Sequence, residues 1–259
     1  MSNFEPAEIV RGTCINHVEY HETLDSTNTL AVELLDDLLP LAPSLVLTAD
    51  QTAGRGRGSN QWWASAGALT FSLVLDVNHL SLPGDRLSLV SLAVGLGVRN
   101  AISASVPDRG VCVKWPNDVL IGQHKVCGIL VEQHSAQHGT ALIIGVGLNV
   151  NNSLAAAPTD VRQRAASIFD LTAETKDLNQ LLIVLVRHLE KGISQLQNRQ
   201  MEMFAELNSV SCLNGREVSV QLGEELIAGF CRGVDSDGCL LLEGDGHLHR
   251  LNAGTVVEW

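Results

Sequence analysis

The sequence is poor in lysine and in positive charge overall. Its 259 residues carry 17 Lys and Arg against 29 Asp and Glu, which gives a formal net charge of −12 at pH 7. Binding to nucleic acid through its phosphates needs a basic face, because much of the affinity comes from releasing condensed counterions. We therefore expect no nucleic-acid partner.

Long hydrophobic runs and patterned cysteines are also missing. No apolar segment approaches the roughly 20 residues that span a bilayer, and no basic, apolar and small-residue signal opens the chain. The six cysteines are scattered, without a C-x-x-C pair or another ligand-like spacing. We expect a folded cytoplasmic protein with free thiols and no membrane partner. At 45% apolar residues, the chain is long enough for one substantial core and a small second unit.

A glycine-rich loop from Asp50 to Trp63 stands out between two predicted strands. The apolar run 45–49 precedes it, and the alternating run 69–75 follows it. Three glycines at alternating positions let the backbone approach a ligand closely, and Arg55 and Arg57 offer planar cations suited to carboxylate or phosphate. The pattern predicts an anion-binding loop. For such a motif by itself, a flexible surface turn with incidental arginines is the alternative.

Two of the four lysines lie close together in a second motif-rich stretch. Lys114-Trp-Pro-Asn-Asp118 follows a short apolar segment, and Lys125 opens the run Lys-Val-Cys-Gly-Ile-Leu-Val-Glu. A third stretch, from Gly145 to Asn151, ends an apolar run with glycines and a polar amide. Each could be an ordinary boundary between a strand and a turn, and it is their order that is informative.

In order, Gly-Arg-Gly-Arg-x4-Trp, Lys-Trp-Pro-Asn-Asp, Lys-x2-Gly-Ile-Leu-Val-Glu and Gly-x-Gly-x-Asn resemble the motifs of the biotin protein ligases. The resemblance extends from about Thr23 to the end of the chain. It implies an α/β (α+β) fold: a central mixed sheet flanked by helices, of the class II synthetase-like type, plus a small C-terminal SH3-like antiparallel β-barrel. The expected units are a catalytic domain at 1–211 and the barrel at 212–259, where a change in composition predicts a separate small core.

The resemblance also implies an activity. Enzymes of this family use ATP to activate biotin as biotinyl-5'-AMP, release pyrophosphate, and transfer biotin to a lysine of a carrier domain of a biotin-dependent carboxylase. Biotin, ATP and Mg²⁺ are the expected ligands, and a homodimer is compatible with the resemblance. Residues 1–23 are too short for a helix-turn-helix domain, so the monofunctional type is expected, without repressor activity.

Site residues follow from the same resemblance, motif by motif. The expected biotin contacts are Ser26, Thr27, Asn28, Gln51, Arg55, Gly56, Arg57 and Lys125. The expected nucleotide contacts are Arg55, Arg57, Lys114, Asn117 and Asn149. The expected catalytic residues are Lys125, which would bridge the biotin carboxyl and the α-phosphate, with Arg57, Lys114 and Asp118. Asp118 and Asn117 are also candidate Mg²⁺ ligands, and a plain Pro-Asn-Asp turn is the alternative for this pair.

The chemistry is consistent with what the sequence omits. Adenylation followed by aminolysis needs no covalent enzyme intermediate, and the chain has no nucleophile elbow or Cys-His signature. The protein must supply position, cations around a crowded polyphosphate, and exclusion of water. Two alternatives stay open: a lipoate-type ligase with the same fold and chemistry, and a catalytically silent module that binds biotin or nucleotide. Trp62 is open as well, either as a core residue or as part of a lid.

Hydrophobic periodicity predicts three helices. Asp25 or Ser26 caps the first, which ends at Pro40, and the capped end also suits a polar ligand. The second extends from Arg86 to about Ser105, and the long third from about Asp177 to Leu207.

Strands are predicted at 14–20, 111–113, 126–132 and 141–150, with a polar link at 133–139 and a loop at 149–160. We expect His134 and His138 in that link to be loop residues rather than metal ligands, because no third ligand accompanies them. Short strands separated by turns at 223–224, 235–238 and 244–246 predict the C-terminal barrel.

Overall fold

The computed structural model describes residues 4–80, 87–107 and 109–259. Nine strands precede the C-terminal unit: β1 (His17–Leu24), β2 (Ser44–Gln51), β3 (Gly54–Arg55), β4 (Gln61–Trp62), β5 (Leu69–Asp76), β6 (Val111–Lys114), β7 (Asp118–Ile121), β8 (His124–Ala136) and β9 (Gly139–Leu148). Seven of them form one sheet in the order β1-β2-β5-β9-β8-β7-β6, and β3 and β4 form a small hairpin. Of the described strands in this sheet, β1 and β2 pair in parallel and the other neighbours pair antiparallel, so the predicted mixed sheet is confirmed.

Strand β5 shows how the sequence pattern assigns the two faces of this sheet. The alternating residues Leu69, Phe71, Leu73 and Leu75 all belong to the main hydrophobic core, as their spacing predicts. The residues between them, Thr70 and Ser72, are buried on the opposite face. Buried hydroxyls need hydrogen-bond partners, and the partners of the Ser72 hydroxyl are the predicted site residues Thr27 and Asn28.

The helices are α1 (Pro6–Gly12), α2 (Thr27–Glu33), α3 (Leu35–Leu38), α4 (Leu87–Ser105), α5 (Thr159–Arg164), α6 (Ile168–Thr172), α7 (Leu178–Asn198) and α8 (Gln200–Ser209), with 3₁₀ turns at Leu39–Leu41 and Val77–His79. Among the helices that the structure describes, none has the length and apolarity needed to cross a membrane.

Helices α4 and α7 pack against each other through glycine. A Cβ placed on Gly97 of α4 would meet the carbonyl oxygen of His188 at 2.6 Å, and one on Gly192 of α7 would meet that of Ala93 at 2.6 Å. Real Cβ atoms do not approach so closely, so both positions require glycine for this spacing. Gly95 is different, because its added Cβ would lie 3.6 Å from the nearest side chains.

The C-terminal unit is a five-stranded antiparallel sheet. Its strands are β10 (Glu217–Leu222), β11 (Glu225–Val234), β12 (Leu240–Gly244), β13 (His247–Leu251) and β14 (Thr255–Glu258), in the order β13-β12-β11-β10-β14. The predicted hairpin turns are confirmed.

The separate core predicted for this unit is wrong, because its buried residues, Leu213 and Leu242 among them, are contiguous with the main core. The buried Trp115 Nε1 also donates to the Gly238 carbonyl at 3.1 Å. The division at 211/212 itself stays a prediction.

The link between the two units is part of the larger sheet. Val113 of β6 donates to the Val210 carbonyl at 3.0 Å, and Cys212 donates back to the Val113 carbonyl at 3.1 Å. Ser211 thereby forms a parallel bridge with Val113. Strand β6 is the last strand of the seven-stranded sheet, so the link covers its outer edge.

Several predicted boundaries are wrong. The long third helix is two helices, because the backbone of Arg199 leaves the helical region (φ −143°) and α8 then packs Met203, Phe204 and Leu207 inward. Strand β8 continues to Ala136, so His134 lies on a strand, opposite Ala141. The first helix ends at Glu33 and a short second one follows.

Two N-terminal features also differ from the prediction, since β1 begins at His17 and the unpredicted α1 precedes it. The predicted helix start at Arg86 lies outside the described residues.

Candidate active site

The cleft lies on the face of the sheet that carries Thr70, Gly145 and Gly147, and it has a volume of about 680 Å³. Its walls come from α2, the β3–β4 hairpin, the β6–β7 turn, α5 and β14. The predicted site residues that line it are Ser26, Thr27, Asn28, Gln51, Arg55, Gly56, Arg57, Lys114, Asn117, Asp118 and Lys125. Segments separated by about a hundred residues of sequence therefore meet in one place, and of the predicted set only Asn149 is not a lining residue.

Glycines form the floor of the cleft. Gly128 of β8 and Gly147 of β9 lie opposite each other in the sheet, and the indole ring of Trp62 rests on both. A Cβ on Gly147 would come within 2.4 Å of Trp62 Cε2, and one on Gly128 within 3.3 Å of its Cζ3. Trp62 is thus a half-buried side chain of the hairpin that covers bare backbone, as a lid residue would. Its Nε1 is buried and has no acceptor among the described residues.

One end of the cleft is a network of buried polar side chains. Ser26 caps α2 by accepting a hydrogen bond from the Thr29 amide at 3.4 Å, which confirms the predicted cap. The Gln51 Oε1 accepts from the Thr27 amide at 2.9 Å. Ser72 Oγ lies 2.8 Å from Thr27 Oγ1 and 2.6 Å from Asn28 Oδ1. Hydroxyls and amides fixed in this way suit a neutral polar ligand group with both donors and acceptors.

The glycine-rich loop folds back over the sheet as the β3–β4 hairpin. Gly54 pairs with Trp62 and Arg55 with Gln61. A Cβ on Gly54 would meet the Trp62 carbonyl at 2.5 Å and Gln51 Nε2 at 2.6 Å, so this glycine is needed for close approach. Arg55 forms an ion pair with Glu132 at 2.6 Å, which ties the hairpin to β8.

Four cationic side chains reach the other part of the cleft, and three of them have different partners. Lys125 Nζ lies 2.6 Å from Asp118 Oδ1 and 5.8 Å from the centre of the Trp62 ring. Lys114 Nζ donates to the Val256 carbonyl at 3.4 Å, and Arg57 donates to the Gly254 carbonyl. Arg164, the fourth, lines the cleft from the end of α5.

Burial lowers the pKa of Lys114 from its usual 10.5, and the neighbouring Asp118 carboxylate partly opposes that shift. Lys125 and Arg164 act in the same direction as burial, because like charges disfavour the ammonium. A partly desolvated ammonium held by a neutral carbonyl keeps its charge available for an incoming anion. Arg57 has the same kind of acceptor.

The two asparagines predicted to contact the nucleotide have mainly structural partners. Asn117 Nδ2 donates to the Ile129 carbonyl at 2.8 Å, which fixes the β6–β7 turn and leaves the side-chain oxygen as its ligand atom. Asn149 is buried, and its Oδ1 accepts from Asn152 Nδ2 at 3.0 Å. It organises the loop after β9 behind the cleft wall. Its role in nucleotide binding stays a prediction that the geometry does not favour.

Three features escaped the sequence analysis. Glu132 ends the motif Lys-x2-Gly-Ile-Leu-Val-Glu, and the importance of an acidic residue directly after this apolar run was missed. Arg164 stands alone in a polar segment without a motif. The C-terminal segment 254–259 supplies the backbone carbonyls of Gly254 and Val256. It also supplies Trp259, whose ring lies 5.5 Å from Lys114 Nζ and 5.1 Å from the Arg216 guanidinium. Backbone acceptors have no sequence signal.

Comparisons with known proteins show which proteins this chain resembles. A model of the biotin/lipoate A/B protein ligase family matches residues 20–149. The chain is 36% identical over 232 residues to a biotin–[acetyl-CoA-carboxylase] ligase of Mycobacterium tuberculosis, covering 86% of this chain and 84% of that protein. It is 29% identical to the bifunctional ligase/repressor BirA of Bacillus subtilis, covering 93% of this chain and 73% of that protein.

A solved structure has a similar fold over almost its whole length. The biotin protein ligase from Aquifex aeolicus in complex with biotin and ATP superimposes with a TM-score of 0.77 at 25% identity, covering 93% of this chain and 97% of that one.

Proposed function

Because the chain belongs to the biotin/lipoate A/B protein ligase family, we infer that it is an ATP-dependent biotin protein ligase. It activates biotin as biotinyl-5'-AMP with release of pyrophosphate, and it then transfers biotin to a lysine of a biotin carboxyl carrier domain. The observation that carries this function is one cleft that joins a buried network of hydroxyls and amides to a cluster of cations across a glycine floor.

The polar network suits the ureido ring of biotin. That ring presents two N–H donors and one carbonyl acceptor, and it is uncharged. Thr27, Asn28, Gln51 and Ser72 offer hydroxyl and amide groups already oriented by mutual hydrogen bonds. A site built to pair such groups discriminates strongly against a ligand that lacks them, which favours biotin over lipoate.

The cations suit the reacting end. In the first step the biotin carboxylate oxygen attacks the α-phosphorus of ATP, and the bond to pyrophosphate breaks. Negative charge crowds around that centre, so fixed cations stabilise the transition state. We assign Lys125 to the carboxylate and α-phosphate, and Arg57 and Lys114 to the phosphates. Arg164 lies on the same wall and adds a fourth candidate phosphate contact.

In the second step a carrier lysine attacks the acyl carbon of the mixed anhydride and AMP leaves. The attacking amine must be neutral, and its proton must go to an acceptor. Asp118 Oδ1, paired with Lys125 at 2.6 Å, is the carboxylate at this end of the cleft. We propose that Asp118 orients the incoming amine, and that the hairpin with Trp62 keeps water from the anhydride.

The residues at this end also fit a magnesium ion that arrives with ATP. Mg²⁺ keeps several waters and commonly takes one or two protein oxygens together with substrate phosphates. Asp118 and the side-chain oxygen of Asn117 provide such oxygens. Over residues 4–80, 87–107 and 109–259, no cluster of three or more His, Cys, Asp and Glu side chains is present, which speaks against a metal cage made by protein alone. When bound, the ion would neutralise phosphate charge.

The experiment is a pyrophosphate-release assay with ATP and either biotin or lipoate, followed by mass spectrometry of a biotin carboxyl carrier domain. We expect release with biotin and a biotinylated carrier lysine. Release with lipoate would instead identify a lipoate-type ligase. Binding of biotin without pyrophosphate release would identify a silent binding module.

The remaining proposals concern the cellular location of the protein, its partners and its oligomeric state. A cytoplasmic enzyme with no nucleic-acid partner fits a net charge of −12, and retention on heparin or DNA at physiological salt would contradict it. A homodimer is also proposed, and light scattering of the purified protein with and without biotin tests it.

A further inference from the structure

Glu132 of β8 joins three parts of the cleft that are far apart in sequence. Its Oε1 accepts from Arg55 Nη2 at 2.6 Å, and its Oε2 accepts from Arg55 Nη1 at 3.3 Å. The same Oε2 accepts from Asn28 Nδ2 at 2.8 Å. One carboxylate with 19% of its side chain exposed therefore binds the hairpin and the first turn of α2 to the sheet.

The contact with Asn28 decides which way that amide points. Asn28 Oδ1 lies 2.6 Å from Ser72 Oγ, and its Nδ2 faces Glu132, so donor and acceptor ends are distinguished by their partners. The amide is also confined from behind, because a Cβ on Gly145 would lie 2.2 Å from Asn28 Oδ1. Without a carboxylate at position 132 the amide loses the partner that fixes its donor end.

The contact with Arg55 completes a circuit of hydrogen bonds. From Glu132 it continues through Asn28 and Ser72 to Thr27, and from the Thr27 amide to Gln51 at 2.9 Å. Gln51 ends β2 just before the hairpin, and Arg55 lies within it. Gln51, before the hairpin, and Arg55, within it, are thus connected by hydrogen bonds that pass through the side chain of Asn28.

The charges distinguish Arg55 from its neighbour Arg57. Arg55 already has a two-point carboxylate partner, which is the geometry a guanidinium prefers, while Arg57 donates to the neutral Gly254 carbonyl. Arg57 therefore has its charge free for a ligand anion, and Arg55 has not.

We propose that Glu132 is a positioning residue for biotin activation, and that Arg55 acts through Glu132 rather than as a receptor for the ligand's carboxylate or phosphate. This inference rests on the proposed function, and it deepens the residue assignment within that site. Glu132 sets the orientation of the Asn28 amide and anchors the hairpin through Arg55.

Substitution by glutamine separates this role from simple packing. Glu132→Gln keeps the shape but has one acceptor oxygen, so it can serve Arg55 or Asn28 and turns an NH₂ group toward the other donor. Glu132→Asp keeps the charge with a shorter reach. Arg55→Gln removes the other partner. Glu243→Gln is the matched control, because Glu243 forms an exposed ion pair with Arg232 in the C-terminal sheet, outside the cleft lining.

Kinetics of biotin-dependent pyrophosphate release test the coupling. Losing a charged hydrogen bond typically corresponds to about tenfold or more in affinity, so Glu132→Gln and Arg55→Gln should each raise KM for biotin about tenfold. We expect kcat to change less than about threefold, because groups that bind ground and transition state alike affect KM. The double variant should be no worse than Glu132→Gln alone, Glu132→Asp should recover part of the loss, and Glu243→Gln should match the parent.

Two kinetic outcomes overturn the inference. If the two single effects multiply in the double variant, Arg55 contacts the ligand independently of Glu132. If Glu132→Gln behaves like Glu243→Gln, the contact is an ordinary surface ion pair.

A second readout does not depend on the reaction. Hydrogen exchange of residues 52–63 in the absence of ligand should be faster in Glu132→Gln and in Arg55→Gln than in the parent or Glu243→Gln, because the hairpin loses its anchor. If the parent shows no biotin-dependent release, the proposed function fails while this measurement still tests the anchor. Unchanged exchange in both variants would overturn the inference. If Glu132→Gln does not fold, Glu132→Asp and Arg55→Gln provide the same comparison.

Discussion

The indole ring of Trp62 lies against Gly147 so closely that a single methyl group on that glycine would come within 2.4 Å of ring atom Cε2. The Trp62 ring can therefore lie on the floor of the cleft only because position 147 of β9 has no side chain. Because the obstacle would be a half-exposed side chain and not backbone, the two can be separated without disturbing the sheet.

Gly147→Ala should displace Trp62 and reduce biotin-dependent pyrophosphate release roughly tenfold or more, equivalent to at least about 1.4 kcal/mol. We expect the midpoint of thermal unfolding to move little. Trp62→Ala should have a similar effect, and the double variant should be no worse than the single ones. Near-parental release by Gly147→Ala would show that the ring does not need its place on the floor.

Two glycines of α4 should respond to alanine with opposite signs. Gly95→Ala has room, since its nearest neighbours lie at 3.6 Å, and should stabilise the fold by about 0.5–1 kcal/mol through higher helix propensity. Gly97→Ala meets the His188 carbonyl at 2.6 Å and should destabilise it by about 1–3 kcal/mol. The midpoints of urea unfolding of the two variants and the parent test this prediction. Equal shifts of the two midpoints from that of the parent would contradict the packing described for α4 and α7.

Lys125→Ala should abolish most adenylation. Its ammonium is the cation assigned to both reacting anions, and removing a contact of this kind typically lowers the rate on the order of a hundredfold or more. Pyrophosphate release is the measurement, and Lys191→Ala, at an exposed position of α7, is the control. A rate near that of Lys191→Ala would remove Lys125 from the reaction centre.

Lys114→Met should lower activity and raise stability at neutral pH. The pKa of the native Lys114 is below 10.5 because burial disfavours its charge, so folding carries a penalty at every pH below that lowered value. As pH rises through the lowered pKa toward 10.5 the native lysine loses its proton first, and the penalty is relieved. Urea unfolding of parent and variant at pH 7 and pH 10 should show a stability gain that shrinks with pH. If the stability gain of Lys114→Met over the parent grew with pH, burial would not be lowering the pKa of Lys114.

Trp259→Ala should weaken ATP binding and spare biotin binding. The ring lies 5.5 Å from Lys114 Nζ and 5.1 Å from Arg216, and loss of a cation–π contact of about 0.5–1 kcal/mol corresponds to about a twofold to fivefold rise in KM for ATP. Leu248→Ala, an exposed change on β13, serves as the control. An equal rise in KM for biotin would mean that the C-terminal strand supports the whole cleft rather than its nucleotide end.

The predicted residues that the structure brings together in the cleft are those with side-chain motifs. Gly54 with its neighbouring arginines, and Lys114 with Asp118, occur in dense and ordered patterns, and each pattern depends on residue types that few other local structures require. The Ser26 cap was predictable for a similar reason, because a hydroxyl before a helical pattern has a specific local partner.

The contacts that were missed depend on backbone or on distant pairing. Gly254 and Val256 take part through their carbonyls, which every residue has. Asn149 carries a motif-like amide, but its Oδ1 accepts a hydrogen bond from Asn152, three residues later in the same loop. The break at Arg199 interrupts a sequence with continuous helical spacing, because α8 must turn to reach the C-terminal sheet, where Asn208 Nδ2 bonds the Val234 carbonyl at 2.8 Å.

The three-residue link at 210–212 protects the protein against aggregation through the edge of its large sheet. The outer side of β6 would otherwise present unpaired amide and carbonyl groups, which is a template for a strand from another chain. Val210 and Cys212 occupy the amide and the carbonyl of Val113 instead. A one-residue insertion after Val210 would shift that pairing, and we expect the first result to be intermolecular sheet growth and loss of soluble protein, before any change in the chemistry of the cleft.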